Sequence, residues 1–234
     1  MSGHLYGVGV GPGDPDLLTL KAARILGEVD VILAASSTKN DDSLALDIAR
    51  PHLRPETRII RLGFPMSREN AVLNRAWEEN ARLVLAELDQ GRNAAFLTLG
   101  DPLLYSTFAY LLRTLRRMDP DRPVTIIPGI TSFQAVAAAT ETVLAESSEN
   151  LLILPGIREA QSLRASAEGA DNAVILKAYT NFAAIREELK DFPRETHCVF
   201  ASRVGMKDQY ITRNLDEAPD NPTYLSLLLL TRER

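Results

Sequence analysis

Leu97-Thr98-Leu99-Gly100-Asp101-Pro102-Leu103-Leu104-Tyr105-Ser106-Thr107 is the stretch whose reading decides the fold. The apolar run from Ala94 to Leu99 reads as a buried strand. Gly100 ends it, where the backbone turns freely and leaves its amides open. Asp101 then fits an N-cap and Pro102 a first helical position, which predicts a helix through Tyr110 and Leu112. A strand, a glycine turn and a fresh helix put polar groups at the carboxyl edge of a sheet, where open α/β sheets bind ligands. The plainer alternative is an ordinary capped turn between strand and helix.

Two other stretches share this grammar. Gly9-Val10-Gly11-Pro12-Gly13-Asp14-Pro15-Asp16-Leu17-Leu18-Thr19 follows the first apolar run, and Pro128-Gly129-Ile130-Thr131-Ser132-Phe133 follows another. The first is not a dinucleotide fingerprint. G-x-G-x-x-G needs glycine at position 12 or 14, which hold Pro12 and Asp14. The acidic partner expected at the end of a second strand is also missing, because Asp30 precedes the run Val31-Ile32-Leu33. No G-x-x-x-x-G-K-[ST] occurs, which excludes a Walker-type phosphate loop.

Taken in order, "VGVGPGDPDLLTL", "LTLGDPLLYST" and "IIPGITSFQAVAAA" resemble the tetrapyrrole methylases, a family of S-adenosylmethionine-dependent methyltransferases. The resemblance runs from the first strand to the last. Within it, "GDPLLYST", "ASRVG" and "YLSLLLL" are most similar to the enzymes that methylate C(20) of precorrin-2 or cobalt-factor II. Other members act on uroporphyrinogen, later corrin intermediates, RNA or a modified histidine, and a non-catalytic nucleotide-binding protein using the same cleft is the alternative of another class.

The family resemblance implies S-adenosylmethionine in a cleft between two domains, contacted by Leu99, Gly100, Asp101, Leu104 and Ser106, by Thr131 and Ser132, by Lys177, and by the last strand at Ser226 and Leu228. It further implies that Gly11, Pro12, Gly13 and Asp14 face the tetrapyrrole, with Tyr105 and Arg203 as further substrate contacts, and that the chain is a homodimer. Asp101 is left with three roles, in the order cap, cofactor ligand and proton acceptor. Tyr105 either steers the substrate ring or is a packed aromatic. Methyl transfer from a sulphonium to carbon needs held geometry and a proton acceptor but no nucleophilic side chain, and the sequence accordingly has no G-x-S-x-G elbow.

Composition bounds the rest. The chain has 234 residues, enough for two modest domains, and is 45% hydrophobic and 24% charged. A net charge of −5 argues against broad affinity for nucleic acid or anionic membrane, so a substrate rich in carboxylates needs local cations. Arg203, Lys207 and Arg213 form one candidate group, and Arg50, His52, Arg54, Arg58 and Arg61 another. With one cysteine and three histidines, a Cys/His metal site is not expected, and Cys198 reads as a small core residue. The amino terminus lacks the pattern of a signal peptide and no apolar run is long enough to span a bilayer, which predicts a cytoplasmic protein.

Alternating strands and helices predict a mostly parallel five-stranded sheet over residues 1–128: Leu5–Val10, Val31–Ala34, Arg58–Leu62, Ala94–Leu99 and Val124–Ile127. Expected helices start at Pro15 (capped by Asp14, with Leu17, Leu20, Ala23 and Leu26 in register), at Ser43, and after Ser67, where Trp77, Ala81, Val84, Leu85 and Leu88 make one apolar stripe. Residues 129–234 read as a second α/β domain with a mixed sheet. Its strands are Leu151–Leu154, Ala173–Leu176, His197–Phe200 and Thr223–Leu230, with Ser202 to Pro222 too irregular for a helical crossover.

Overall fold

The computed structural model describes residues 2–36, 43–65, 67, 69–156, 163, 169–190 and 196–232. The chain divides into two compact units, Met1–Thr131 and Ser132–Arg234.

In the first unit, strands β1 (Leu5–Gly9), β2 (Val31–Ser36), β3 (Arg58–Gly63), β4 (Ala94–Thr98) and β5 (Val124–Ile127) alternate with helices α1 (Leu20–Leu26), α2 (Leu44–Ala49), α3 (Asn70–Asp89) and α4 (Phe108–Met118). The strands lie in the order β3-β2-β4-β1-β5 and every pair is parallel. β4 shows why its sequence is a continuous apolar run. Ala94 and Phe96 join Val84, Leu88, Leu111 and Leu115 of α3 and α4 on one face. Ala95 and Leu97 join Ile25, Leu26, Leu46 and Ile48 of α1 and α2 on the other. A sheet covered on both faces has no polar side to alternate with. Each large side chain buried there contributes about 1.5–3 kcal/mol. Because α1 and α4 cover opposite faces, the chain leaves the adjacent strands β1 and β4 in opposite directions. The segments that follow diverge to opposite faces beyond the carboxyl edge, which makes that edge a topological switch point.

The second unit holds α5 (Ser132–Ala139), β6 (Leu151–Leu154), β7 (Asn172–Leu176), α6 (Phe182–Leu189), β8 (Thr196–Ser202), β9 (Tyr210–Thr212) and β10 (Ser226–Arg232). The strand order is β6-β7-β10-β8-β9, with β6–β7 parallel and the remaining pairs antiparallel, so the sheet is mixed as expected. Phe182 and Ile185 of α6 pack on Ile175, Phe200, Leu228 and Leu230.

Several local expectations are corrected. Asp101 does not cap a helix and Pro102 does not begin one, since α4 starts at Phe108. Asp14 caps only a short 3-10 turn, Pro15–Leu17, while Thr19 caps α1 by accepting from Ala22 N at 3.1 Å. Leu20 is therefore not in the core stripe but 91% exposed. Ser67 accepts from Glu69 N, and α3 begins beyond it at Asn70. Trp77 is only half-buried and stacks on Tyr110 with ring centroids 4.7 Å apart. The segment after Ser202 contains a strand, β9, and β10 begins at Ser226, not Thr223. Residues 157–162 and 164–168, between β6 and β7, lie outside the described residues.

At the carboxyl edge, β1, β4 and β5 end with their backbones in contact. A Cβ on Gly9 would stand 2.6 Å from Gly100 O and from Gly129 N, and one on Gly129 would strike the same carbonyl. Gly9→Ala and Gly129→Ala should each therefore cost about 1–3 kcal/mol by forcing backbone apart. Gly63→Ala, which meets nothing within 4 Å, should leave the denaturation midpoint within error of the parent. Equal midpoints for all three variants in urea would refute the contact.

Candidate active site

Four backbone and side-chain ties build the carboxyl edge of the first unit. Val10 N donates to Thr98 O at 2.9 Å, and Gly100 N donates to Gly11 O at 2.8 Å, so the β1 and β4 loops are paired past their strand ends. Asp101 then uses both carboxylate oxygens. Oδ1 accepts from Leu103 N at 2.8 Å, and Oδ2 accepts from Gly129 N at 3.1 Å, binding the β4 loop to the β5 loop. The bond to Leu103 is an Asx turn, and Asp14 makes the same bond to Asp16 N at 2.9 Å. The repeated Gly-Asp-Pro grammar is a turn device used twice.

Below this loop, Ser106 is buried. Its Oγ lies 3.3 Å from Thr98 Oγ1 and accepts from Phe108 N at 3.0 Å, which starts α4. The hydroxyl is thus spent under the loop, away from any ligand-facing role. Tyr105 sits in the bend just before it with φ 50°, in the left-handed region, and is 49% exposed. It does not stand on a helical turn, as its spacing had suggested. Leu103 is 57% exposed beside it, while Leu99 and Leu104 are half-buried. Gly11 and Pro12 are buried, so of the four β1-loop candidates only Gly13 and Asp14 keep appreciable surface.

Gly100 differs from its two glycine neighbours. Its φ is +72°, and a Cβ built there would meet nothing closer than Ile130 O and Thr131 Cα at 4.0 Å. The space beside this backbone is open where that beside Gly9 and Gly129 is filled. Thr131 is half-buried next to that space, and Ser132 opens α5.

The sequence profile of the Tetrapyrrole (Corrin/Porphyrin) Methylases matches residues 4–219. The chain belongs to the tetrapyrrole methylases. This methylase is 34% identical over 235 residues to a cobalt-precorrin-2 C(20)-methyltransferase of Salmonella typhimurium, covering 100% of this chain and 98% of the relative. A precorrin-2 C(20)-methyltransferase of Sinorhizobium sp is 32% identical, over 97% of this chain and 95% of the relative. In fold, the methylase is similar to a cobalt precorrin-4 methyltransferase of cobalamin biosynthesis, with TM-score 0.77 and 22% identity over 97% of this chain and 94% of that one.

The second unit of the methylase treats its candidate residues unevenly. Lys177 follows β7 in the left-handed region, at φ 53° and ψ 44°. Ser226 is 3% exposed and its Oγ accepts from Tyr179 N at 3.1 Å. Leu228 is fully buried in the core of the sheet, so the expectation that it contacts a ligand is not met. Arg203, also left-handed, pairs with Asp208 at 2.5 Å, and its guanidinium holds that carboxyl below the usual range. Arg213 donates to Thr140 O. Much of the cationic group of the first unit is likewise committed: Arg50 to Asp47, Arg54 to Asp30 and Glu56, Arg58 to Glu87. Burial pushes the Cys198 thiol up to about 12, so it is no nucleophile at neutral pH. No helix among the described residues is long and apolar enough to cross a membrane.

Neither the Thr98–Ser106 pair nor the Asp101–Gly129 tie was visible in the sequence, because each joins residues by the fold and not by a motif. Asp101→Asn tests the second. The amide retains one acceptor for Leu103 N but loses the other for Gly129 N. Hydrogen exchange at the Gly129 amide should accelerate, with a stability loss of about 1–3 kcal/mol. Unchanged exchange there would remove Asp101 from its role as the tie.

Proposed function

We propose that this chain is an S-adenosylmethionine-dependent C-methyltransferase of cobalamin biosynthesis, acting on C(20) of precorrin-2 or cobalt-factor II. The observation that carries this reading is end-to-end likeness to two relatives described by that reaction, at 34% and 32% identity. The open space beside Gly100, at a sheet edge built from backbone, supports it. When bound, S-adenosylmethionine supplies an electrophilic methyl group on sulphur. Transfer breaks the sulphur–carbon bond, leaves its electron pair on sulphur, forms a carbon–carbon bond and requires loss of one proton from the methylated carbon.

Residues of this chain have positioning work to do in that reaction. On this reading Leu99, Gly100 and Leu104 of the β4 loop, with Thr131 beside the open space, hold the donor through backbone and apolar contact, and the family resemblance adds Ser132 and Lys177 as further donor contacts. Asp101 is a positioning residue, since both oxygens already hold backbone N–H groups. Tyr105 is the catalytic candidate, because it is exposed next to the donor loop. Gly13, Asp14 and Arg203 orient the acceptor. We propose further that the enzyme is a cytoplasmic homodimer without nucleic-acid or membrane partners, a reading supported by its net charge of −5 and by the family resemblance.

Carbon-labelled methyl donor and precorrin-2 test the reaction directly. NMR of the product should place the label on C(20), and a label on a pyrrole carbon would overturn the positional assignment. Gly100→Val should lose S-adenosylhomocysteine binding by calorimetry, because a branched side chain resists positive φ and fills the open space. Tyr105→Phe should bind S-adenosylhomocysteine normally but turn over more slowly, by the equivalent of roughly 0.5–1.5 kcal/mol. Parent-like turnover would reduce Tyr105 to packing.

A further inference from the structure

The outer flank of β3 takes no part in the candidate site. β3 ends the first sheet and is hydrogen-bonded to β2 on one side. Four of its six residues are exposed, which makes it the most open strand of that sheet. Arg58 N donates to Asp30 O at 3.1 Å and Phe64 N to Ser36 O at 3.0 Å, so the even-numbered residues turn their backbone groups toward β2. By alternation, Ile59 turns its N–H and C=O the other way, to the outer side of the sheet.

One flank of α3 runs along that side. Asn80 Nδ2 donates to Gly63 O at 2.8 Å, and Glu87 takes Arg58. At about 3.6 residues per turn, Val72, Ala76 and Leu83 fall on the same flank as Asn80 and Glu87. Val72 is 42% exposed, Leu83 51% and Ile59 40%. Outside the candidate-site loops, the other exposed large apolar residues of the first unit, Leu20, Tyr110 and Met118, lie on α1 and α4. The edge is also apolar on both faces, since Ile60 packs toward α3 and Ile59 points to the opposite side. A long edge strand of this kind is a template for another strand. β3 has no proline, and the charge of Arg58 is drawn back onto Glu87.

We propose that this flank is the interface to a second copy of the chain. Two β3 strands pair antiparallel about a two-fold axis at Ile59, joining two sheets into one of ten strands with both α3 helices on the same face. The inference rests on the homodimer reading and gives it a surface. In this register Ile59 meets itself, Ile60 meets Arg58 and Arg61 meets Thr57, so no two arginines stand opposite. Charge on β3 and α3 is balanced, with Arg58, Arg61, Arg75 and Arg82 against Glu78, Glu79, Glu87 and Asp89. That balance matters because two chains of net charge −5 repel each other overall. A flank about 20–30 Å long, and about 20 Å deep as one helix above one sheet layer, offers on the order of 500 Å² in projection. Side-chain relief brings this toward the roughly 800 Å² that each partner gives to a standard interface.

Sedimentation velocity of the full chain tests the surface. The parent should sediment as a dimer, and Ile59→Asp and Leu83→Asp should each shift it to monomer at micromolar concentration, with parent-like urea midpoints. Leu20→Asp, on α1, should leave the dimer intact. Ile59→Cys should form a disulfide-linked dimer under mild oxidation, because a residue on the two-fold axis meets its own copy at about 5.5 Å between Cα atoms. Cys198 is buried with its thiol pushed up to about 12, so the parent should not cross-link. If an Asp variant fails to fold, the cross-link decides. A parent dimer that survives both Asp substitutions, or an Ile59→Cys dimer that does not cross-link, would overturn this interface and leave the homodimer reading standing. A monomeric parent would overturn both.

Discussion

Three backbones touching at the ends of β1, β4 and β5 are the constraint on which the candidate site depends. Gly9, Gly100 and Gly129 approach so closely that two of them have no room for a Cβ. The third needs its glycine for a left-handed turn. The contact brings three loops to one point, and Asp101 then fastens two of them with a single carboxylate. Apolar burial holds the sheet below, but burial is non-directional and would not set loop positions to within an ångström. The glycine contact and the carboxylate tie do that. Side-chain chemistry is sparse here for the same reason: an edge built from backbone leaves the space to a ligand.

The opposite, amino-terminal edge of the first unit is held by charge. Glu87 is nearly buried and takes Arg58 at 3.1 Å and Arg92 at 2.6 Å. Arg122, mostly covered, pairs with Asp89 and Asp119, both at 2.6 Å. Such networks of partly buried, hydrogen-bonded charges fix geometry as well as contributing stability. Arginines that looked in sequence like a landing site for substrate carboxylates are in part members of these structural networks. Sequence proximity of the cations was visible. Their acidic partners, far along the chain in the case of Arg58 and Glu87, were not.

Legibility in the sequence followed the range of the interaction. Runs such as Ala94–Leu99 and Val31–Ala34 announced a doubly covered sheet because apolar continuity is a local property. The irregular link after Ser202 announced a mixed sheet, although β9, three residues in a polar setting, was too short to see. The two Gly-Asp-Pro turns were misread in the same way for one physical reason. An aspartate accepting from the N–H two residues on is common to helix caps and Asx turns. What separates them lies downstream: Tyr105 turning left-handed and Ser106 taking Phe108 N. Leu228 failed differently. Strand alternation places it on a face but does not say that the face is a core packed by α6.

Both sheets have an interior strand that is distant in sequence from its partners. β1 sits between β4 and β5, and β10 sits between β7 and β8. During synthesis, β1 emerges long before either neighbour exists and must wait as an unpaired apolar segment. In the second unit the situation is reversed. β6–β7 and β8–β9 can form as separate ribbons, but no hydrogen bond joins them until β10 slides into the gap. Such late, long-range closure is slow and leaves strand edges exposed while it is pending. Nascent chains that stop short of Arg232 therefore carry a split sheet, and they are the species that chaperones should hold.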